Sequence, residues 1–271
     1  MREPFFFGAG AEIFGILDRP EPEKKKNCGI VICGSVGQEY IRSHRALREL
    51  AKRLSRAGYP VLRFDYRGCG DSLGECDEAR LDEWREDIVV AVQRMQSRYR
   101  PRSVCVIGFR IGGSLAIELD PGRVGCDRLI LWEPVVRGAR LLDELRELHR
   151  HHVAEWQPSR NASRHKPEME SPPGTMESLG FEFSKEMQDD LAALDLLRFE
   201  GKLPGDVLFI DNVESEDGRR LREHVRGASP RFEYVCAEDD PAWLREPYQS
   251  VVPQATVSAI VRWLARQEGQ T

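Results

Sequence analysis

Apolar positions along the chain alternate between two patterns. Residues 28–33, Cys28-Gly29-Ile30-Val31-Ile32-Cys33, form a short unbroken apolar run, as expected of a strand covered on both faces. Residues 44–57 then place Leu47, Leu50, Ala51 and Leu54 at helical spacing and stop at Gly58, a helix C-terminus. The alternation continues with a strand over 60–65, a helix over 79–99, a strand over 104–107, a helix over 111–119 and a strand over 128–132. Repeated strand–helix–strand units of this kind build a parallel sheet with right-handed crossovers, so the pattern predicts a doubly wound α/β fold. Before it, residues 5–18 alternate around Gly8, Gly10 and Gly15 and predict a β-hairpin that ends at Pro20 and Pro22.

Regularity fails between Val135 and Leu203. A charged helix over 141–156 precedes a proline-, serine- and glycine-rich stretch at 158–175, which is expected to be a lid or an insertion. Strands over 206–210 and 231–235 follow, and a last helix opens at Pro253 with Val257, Ile260, Val261 and Leu264 on one face. The expected division is a core of residues 1–136 and 204–271 with a lid insertion at 137–203.

Composition narrows the function classes. Hydrophobic residues at 41 % and charged residues at 31 % suit a globular chain with a sizeable core. A net charge of −5 gives no electrostatic reason to expect nucleic acid or an anionic membrane as partner. No apolar run is long enough for a membrane span or a signal peptide. Seven cysteines without regular close pairing suit reduced thiols, and the expected localisation is cytoplasmic. No cofactor is expected and no metal site either: His149, His151 and His152 do not share one helix face, and no cysteine or carboxylate pattern completes a zinc set.

Ligands of an open parallel sheet bind beyond the carboxyl ends of its strands, which directs attention to the loops there. After residues 28–33 comes Gly34-Ser35-Val36-Gly37-Gln38-Glu39, where Ser35 and Gln38 are candidate ligand-binding residues. After residues 104–107 comes Gly108-Phe109-Arg110-Ile111-Gly112-Gly113. A strand running into a helix through small residues on both sides of one exposed side chain has the form of a nucleophile elbow, G-x-S-x-G, with arginine where the serine stands.

These loops carry a family resemblance. The chain resembles an α/β-hydrolase of the serine-aminopeptidase-like branch, and within it the hydrolases associated with exosortase systems. The residues concerned are Ser43-His44-Arg45-Ala46-Leu47, residues 58–65 and 67–72, the elbow, Trp132-Glu133-Pro134-Val135-Val136 and Pro253-Gln254-Ala255-Thr256. The resemblance implies a mostly parallel sheet of about eight strands with a helical lid. It also implies a serine nucleophile, an acid after the seventh strand and a histidine after the eighth. Asp211 is the best-placed acid, but residues 246–253 contain no histidine, and Arg110 stays protonated and cannot act as a nucleophile.

With both serine and histidine missing, the first expectation is a non-hydrolytic protein. Arg110, Ile111, Ser35 and Gln38 would then bind an anionic small molecule or an acyl or peptide ligand. An arginine at a helix N-terminus calls for an anion, supplied by Glu133 as an internal ion pair or by a bound ligand. The alternatives are an active hydrolase or acyltransferase, in which Asp211 or Glu133 activates water and Arg110 stabilises negative charge, and a subunit whose lid binds a protein partner. Ser72, Ser114, His44 and His224 are expected to be structural.

Overall fold

The computed structural model describes residues 2–156, 174–244 and 252–269. Two antiparallel strands, β1 (Arg2–Phe7) and β2 (Ile13–Asp18), form the hairpin read from the sequence. The parallel part follows as β3 (Cys28–Cys33), α1 (Gly37–Arg56), β4 (Val61–Phe64), α2 (Leu81–Tyr99), β5 (Ser103–Phe109), α3 (Ile111–Ile117), the short α4 (Pro121–Val124) and β6 (Arg128–Trp132). The segment between β6 and the next strand of the sheet supplies α5 (Gly138–Trp156), a small antiparallel pair β7 (Met176–Ser178) and β8 (Phe181–Phe183), and α6 (Lys185–Ala193). The chain re-enters the sheet with β9 (Asp206–Asp211), α7 (Glu216–Arg226), β10 (Arg231–Cys236) and α8 (Gln254–Glu268).

The eight strands lie in the order β1-β2-β4-β3-β5-β6-β9-β10, and every pairing from β4 to β10 is parallel. Alternate residues of each strand serve opposite faces, which is why the central strands read as unbroken apolar runs. Ile30, Ile32, Ile107 and Ile210 pack with Leu50 and Leu54 of α1 and Trp263 of α8. Val31, Val106 and Phe209 face the other way, toward Trp84 and Ile88 of α2, Leu115 of α3 and Leu221 of α7.

Helix α1 begins seven residues before the apolar period predicts. Its first turns turn Glu39, Arg42 and Ser43 inward, and these buried polar side chains interrupt the hydrophobic pattern without interrupting the helix. In the segment after β6, the stretch read as irregular to residue 175 lies mostly outside the described residues. Beyond it the β7–β8 hairpin has strands too short for a visible alternation. Ser184 caps α6 by accepting from Met187 N at 3.1 Å.

The hairpin is tied between two helices. Gln38 Nε2 of α1 donates to Leu179 O at 2.9 Å, Ser178 Oγ donates to Leu145 O of α5 at 3.0 Å, and Leu179 N donates to His149 Nδ1 at 3.1 Å. His149 is thereby a structural tie of this segment. Among the described residues no group of histidine, cysteine or acidic side chains is arranged to hold a metal ion, and no helix is long and apolar enough to cross a membrane.

Candidate functional site

The turn from β5 into α3 has the sharp geometry the sequence implies. Arg110 sits at its tip with φ 52° and ψ −123°, a conformation a non-glycine residue adopts at a cost of roughly 1–3 kcal/mol. Backbone bonds hold it there: Arg110 N donates to Trp132 O at 3.1 Å, and Gly113 N and Ser114 N donate to Arg110 O at 2.9 and 3.2 Å. Close approach explains the flanking glycines. A Cβ on Gly108 would stand 2.4 Å from Gly113 Cα, and one on Gly112 would stand 2.3 Å from Cys33 O. Ile111 opens α3 fully buried, so its N–H is among the first-turn donors that have no acceptor within the helix.

The guanidinium at this tip is already matched. Arg110 Nε donates to Glu39 Oε1 at 2.8 Å and Nη2 lies 2.7 Å from the same oxygen, while Glu144 of α5 approaches Nη2 at 3.5 Å. Ser35 Oγ donates to the other Glu39 oxygen at 2.5 Å. The indole of Trp243 covers the guanidinium with 4.8 Å between Cζ and ring, and packs edge-on against Phe109 at 5.7 Å. Burial is the largest single influence on this arginine and opposes its charge. The Glu39 carboxylate, with Glu144 and Glu133 further off, outweighs it and holds the pKa above the ordinary value.

The expected internal partner of Arg110 therefore needs correction: it is Glu39, and Glu133 forms no ion pair with it. Glu133 takes φ 48° directly after β6, with its own N donating to Ile210 O at 2.9 Å. Its Oε1 accepts from Asn212 N and, at 2.9 Å, from Val213 N, so the carboxylate caps the loop after β9. Burial raises its pKa against the pull of those two N–H groups and of Arg110. The sequence did carry a signal for Glu39. It lies four residues before Ser43 and extends the buried stripe Ser43, Leu47, Leu50, Leu54 by one turn.

Asp211, the expected acid, is the last residue of β9 and is directed to the opposite face. Its carboxylate lies 3.6 Å from Arg222 Nη1 of α7, and the Arg222 guanidinium stacks 3.8 Å over the Tyr234 ring. Burial, then the charge of Glu133, push its pKa up to about 7, against Arg222 and Tyr234. Among the described residues no hydrogen bond or ion pair joins Asp211 to Arg110.

The remaining strand-end groups hold loops. Asn212 accepts from Trp132 Nε1 at 2.7 Å and donates to Thr256 Oγ1 at 2.8 Å, and Asp239 accepts from Thr256 N and Oγ1 at 2.6 and 2.9 Å. Ser114 Oγ donates to Val135 O at 2.7 Å, and Ser72 Oγ accepts from Phe14 N at 2.9 Å, both in structural roles. Of the segment where the resemblance places a histidine, residues 246–251 lie outside the described residues. What the loop after β10 does bring to the site is Trp243.

A cleft of about 620 Å³ between the start of α1, α5 and the loop after β10 is lined by the Arg110 partners Glu39, Glu144 and Trp243, while Arg110, Ile111 and Ser35 themselves are not in its lining. Leu141, Leu145, Leu148, Trp243 and Leu244 supply its apolar lining. Glu39, Asp143, Glu144 and Glu147 outnumber Arg42 and Arg140 among its charges. Gln38 also lines it, with its amide already bonded to Leu179 O.

The family model for serine aminopeptidase, S33, matches residues 39–176, a span from Glu39 through the elbow and into the segment after β6. The chain belongs to this family. Solved structures agree on the fold. Est1E from Butyrivibrio proteoclasticus with ferulic acid bound is similar at 17 % identity and TM-score 0.64, over 94 % of this chain and 95 % of that one. The Pyrococcus furiosus esterase Pf2001 is similar at 15 % identity and TM-score 0.64, over 98 % and 91 %. The mouse alpha/beta hydrolase domain-containing protein 10 is similar at 17 % identity and TM-score 0.57, over 99 % of each. No curated protein sequence matches the chain. As a member of this family the protein carries the α/β-hydrolase fold with an intact elbow backbone and arginine at its tip.

Two outcomes are expected. Glu39→Gln leaves a buried guanidinium with only the more distant Glu144 as counter-charge and lowers unfolding free energy by about 3 kcal/mol in urea titrations. Arg110→Met with Glu39→Met together lose far less; if the two single losses simply add in the double variant, the pair is not coupled. Asp211, with its folded pKa near 7 and an unfolded value of about 3.9, contributes stability that is complete below about pH 4 and is lost as pH rises through about 7. Asp211→Asn should therefore gain thermal stability relative to the parent between pH 5 and pH 8. A difference in Tm that is flat across that range would contradict the assignment.

Proposed function

We propose that this family member is non-hydrolytic at its elbow and uses the cleft lined by the partners of Arg110 to bind a ligand with an acyl or other apolar body. The observation that carries the reading is the Arg110–Glu39 pair. The position that presents a nucleophile in the G-x-S-x-G arrangement holds a protonated guanidinium with both Nε and Nη2 engaged. A side chain in that state neither attacks a carbonyl carbon nor yields a proton at neutral pH.

The same pair bears on the ligand's chemistry. A free carboxylate or phosphate would have to displace Glu39 from Arg110 and would meet Asp143, Glu144 and Glu147 around the cleft. The leucines of α5 with Trp243 and Leu244 suit an apolar body, as in pockets that fix orientation with few polar groups. Of the ligand classes raised by the sequence, the acyl ligand is therefore favoured over the small anion. In this reading the α5–α6 insertion is a lid, residues 137–203, over the cleft. We also place the protein in the branch associated with exosortase systems, on the motifs Ser43-His44-Arg45-Ala46-Leu47 and Trp132-Glu133-Pro134.

A hydrolytic reading has one observation in its favour. Asp211 titrates near neutral pH, where a general base works best, and the structural relatives include esterases. Against it, the Asp211 carboxylate is turned to Arg222, away from the cleft.

One experiment separates the readings. The protein is incubated with a fluorophosphonate probe and with short-chain p-nitrophenyl esters beside an active control hydrolase. In parallel, binding of a fluorescent neutral monoacylglycerol analogue is titrated by anisotropy. The proposal expects no adduct and no turnover, with probe binding lost in Leu145→Asp. A stoichiometric adduct, or turnover abolished by Asp211→Asn, makes the protein a hydrolase. Absence of probe binding removes the acyl-ligand assignment.

A further inference from the structure

Charge is distributed unevenly among the clefts of this protein. The cleft beside α5 carries more acids than bases, and a second large cleft, at the amino ends of β5, β6 and β9, balances Arg102, Arg128 and Arg231 against Asp127, Asp206 and Glu268. A groove of about 690 Å³ between α1 and the end of β2 is different. Six arginines and one lysine line it with three carboxylates, on a chain whose net charge is −5. A positive groove on a negative chain has no origin in overall composition, so its residues need a local reason.

Helix α1 builds one wall. Arg45, Arg48, Lys52 and Arg56 follow one another at spacings of three, four and four, which puts them on one helical face. The stripe runs about 16 Å along the helix axis. The hairpin builds the other wall with Arg2 and Arg19, and it is held to the helix by Ser55 Oγ, which donates to Arg19 O at 2.7 Å.

The carboxylates do not cancel this charge. Asp18 is engaged by Arg2 at 2.8 Å, Glu49 by Lys52 at 3.3 Å and Arg53 at 3.5 Å, and Glu21 by Lys24 at 2.7 Å. Among the described residues no ion pair engages Arg48 or Arg56, and both are exposed. Arg53 and Arg56 have a structural reason for their places, since cations suit the last turn of a helix. Arg45 and Arg48 lie mid-helix, where like charges three or four residues apart repel, so the stripe costs the helix stability. Its field reaches the preceding residue: burial, then the charges of Arg63 and Arg48, lowers the pKa of His44.

The lining also selects a ligand chemistry. Arginine outnumbers lysine, and the guanidinium fork matches two oxygens of an oxyanion at once. Cations spread along a helix face and across to a hairpin suit several linked anionic groups better than one. The concave shape admits a compact chain and not the flat face of a bilayer. We propose that this groove is a binding site for a free oligophosphate, a diphosphate or triphosphate group held between the α1 stripe and the arginines of the hairpin. The site stands whether or not the other cleft binds an acyl ligand.

Calorimetric titration of sodium tripolyphosphate into the full chain tests it. One saturable site is expected at low salt, weakened at least about fivefold when the salt is raised to physiological strength and beyond. The ligand should also raise the Tm of the parent protein. Arg48→Glu, and the milder Arg48→Gln with Arg56→Gln, should each weaken binding about tenfold or more while melting like the parent without ligand. Arg102→Glu, in the balanced cleft, should leave binding unchanged, as should Leu145→Asp, so this site and the acyl cleft fail separately. Unchanged affinity in the Arg48→Gln with Arg56→Gln variant would overturn the assignment, and so would inorganic monophosphate binding as tightly as tripolyphosphate. Capture on phosphatidylcholine vesicles containing phosphatidic acid, without tripolyphosphate binding, would make the groove a membrane contact and sink the proposal.

Discussion

A guanidinium placed at the tip of a strand-to-helix turn and covered by an indole has little water to neutralise it, so its counter-charge must be built into the fold. Glu39 does this, and several features follow. Its carboxylate lies in the first turn of α1, where the helix's positive end already favours an anion. Its second oxygen takes the Ser35 hydroxyl, which fixes the loop after β3. Arg110 in turn reaches Glu144, tying the elbow to α5, and Trp243 closes over the guanidinium from the loop after β10. One buried pair thus connects the three segments that border the cleft.

The backbone of the elbow and its side chain obey separate constraints. Gly108 and Gly112 are required by contacts with Gly113 and Cys33 O, which belong to the packing of α3 on the sheet and not to any reaction. The positive φ of Arg110 is maintained by the same packing and by bonds to Trp132 and Gly113. The turn can therefore keep its shape when its central side chain changes, which is why the motif frame remains readable around an arginine. A retained elbow is evidence about fold, whereas the state of the central side chain is evidence about chemistry.

The sheet was legible because its strands are covered on both faces and its helices carry apolar stripes. The runs at 28–33 and 128–132 match β3 and β6 at both ends. What hydrophobic periodicity missed is either polar or too short to show a period. The first turns of α1 bury Glu39, Arg42 and Ser43, and the β7–β8 hairpin has strands of three residues each. The same blindness misdirected the reading of the site. Glu133 is adjacent to the elbow in the sheet, since β5 pairs with β6, and proximity alone suggested it as the partner of Arg110. Its φ of 48° turns the carboxylate onto Asn212 and Val213, a conformation that residue type does not announce.

The acids at the strand ends show the site's character as a whole. In a hydrolytic centre of this fold an acid orients a histidine and is spared other duties. Here Glu133 caps the loop after β9, Asp239 holds the start of α8 through Thr256, and Asp211 faces Arg222 of α7, which stacks on Tyr234 of the neighbouring strand. Glu39, the carboxylate nearest the elbow, is bound to the arginine itself. Glu39, Glu133 and Asp239 each accept hydrogen bonds from nearby donors, so withdrawing one of them would leave a donor or a charge without its partner, whereas Asp211 approaches Arg222 only to 3.6 Å and its Oδ2 has no hydrogen bond among the described residues. Most polar groups at the carboxyl edge are therefore engaged with one another, Asp211 being the exception, and the leucines of α5 with Trp243 and Leu244 form the apolar part of this edge.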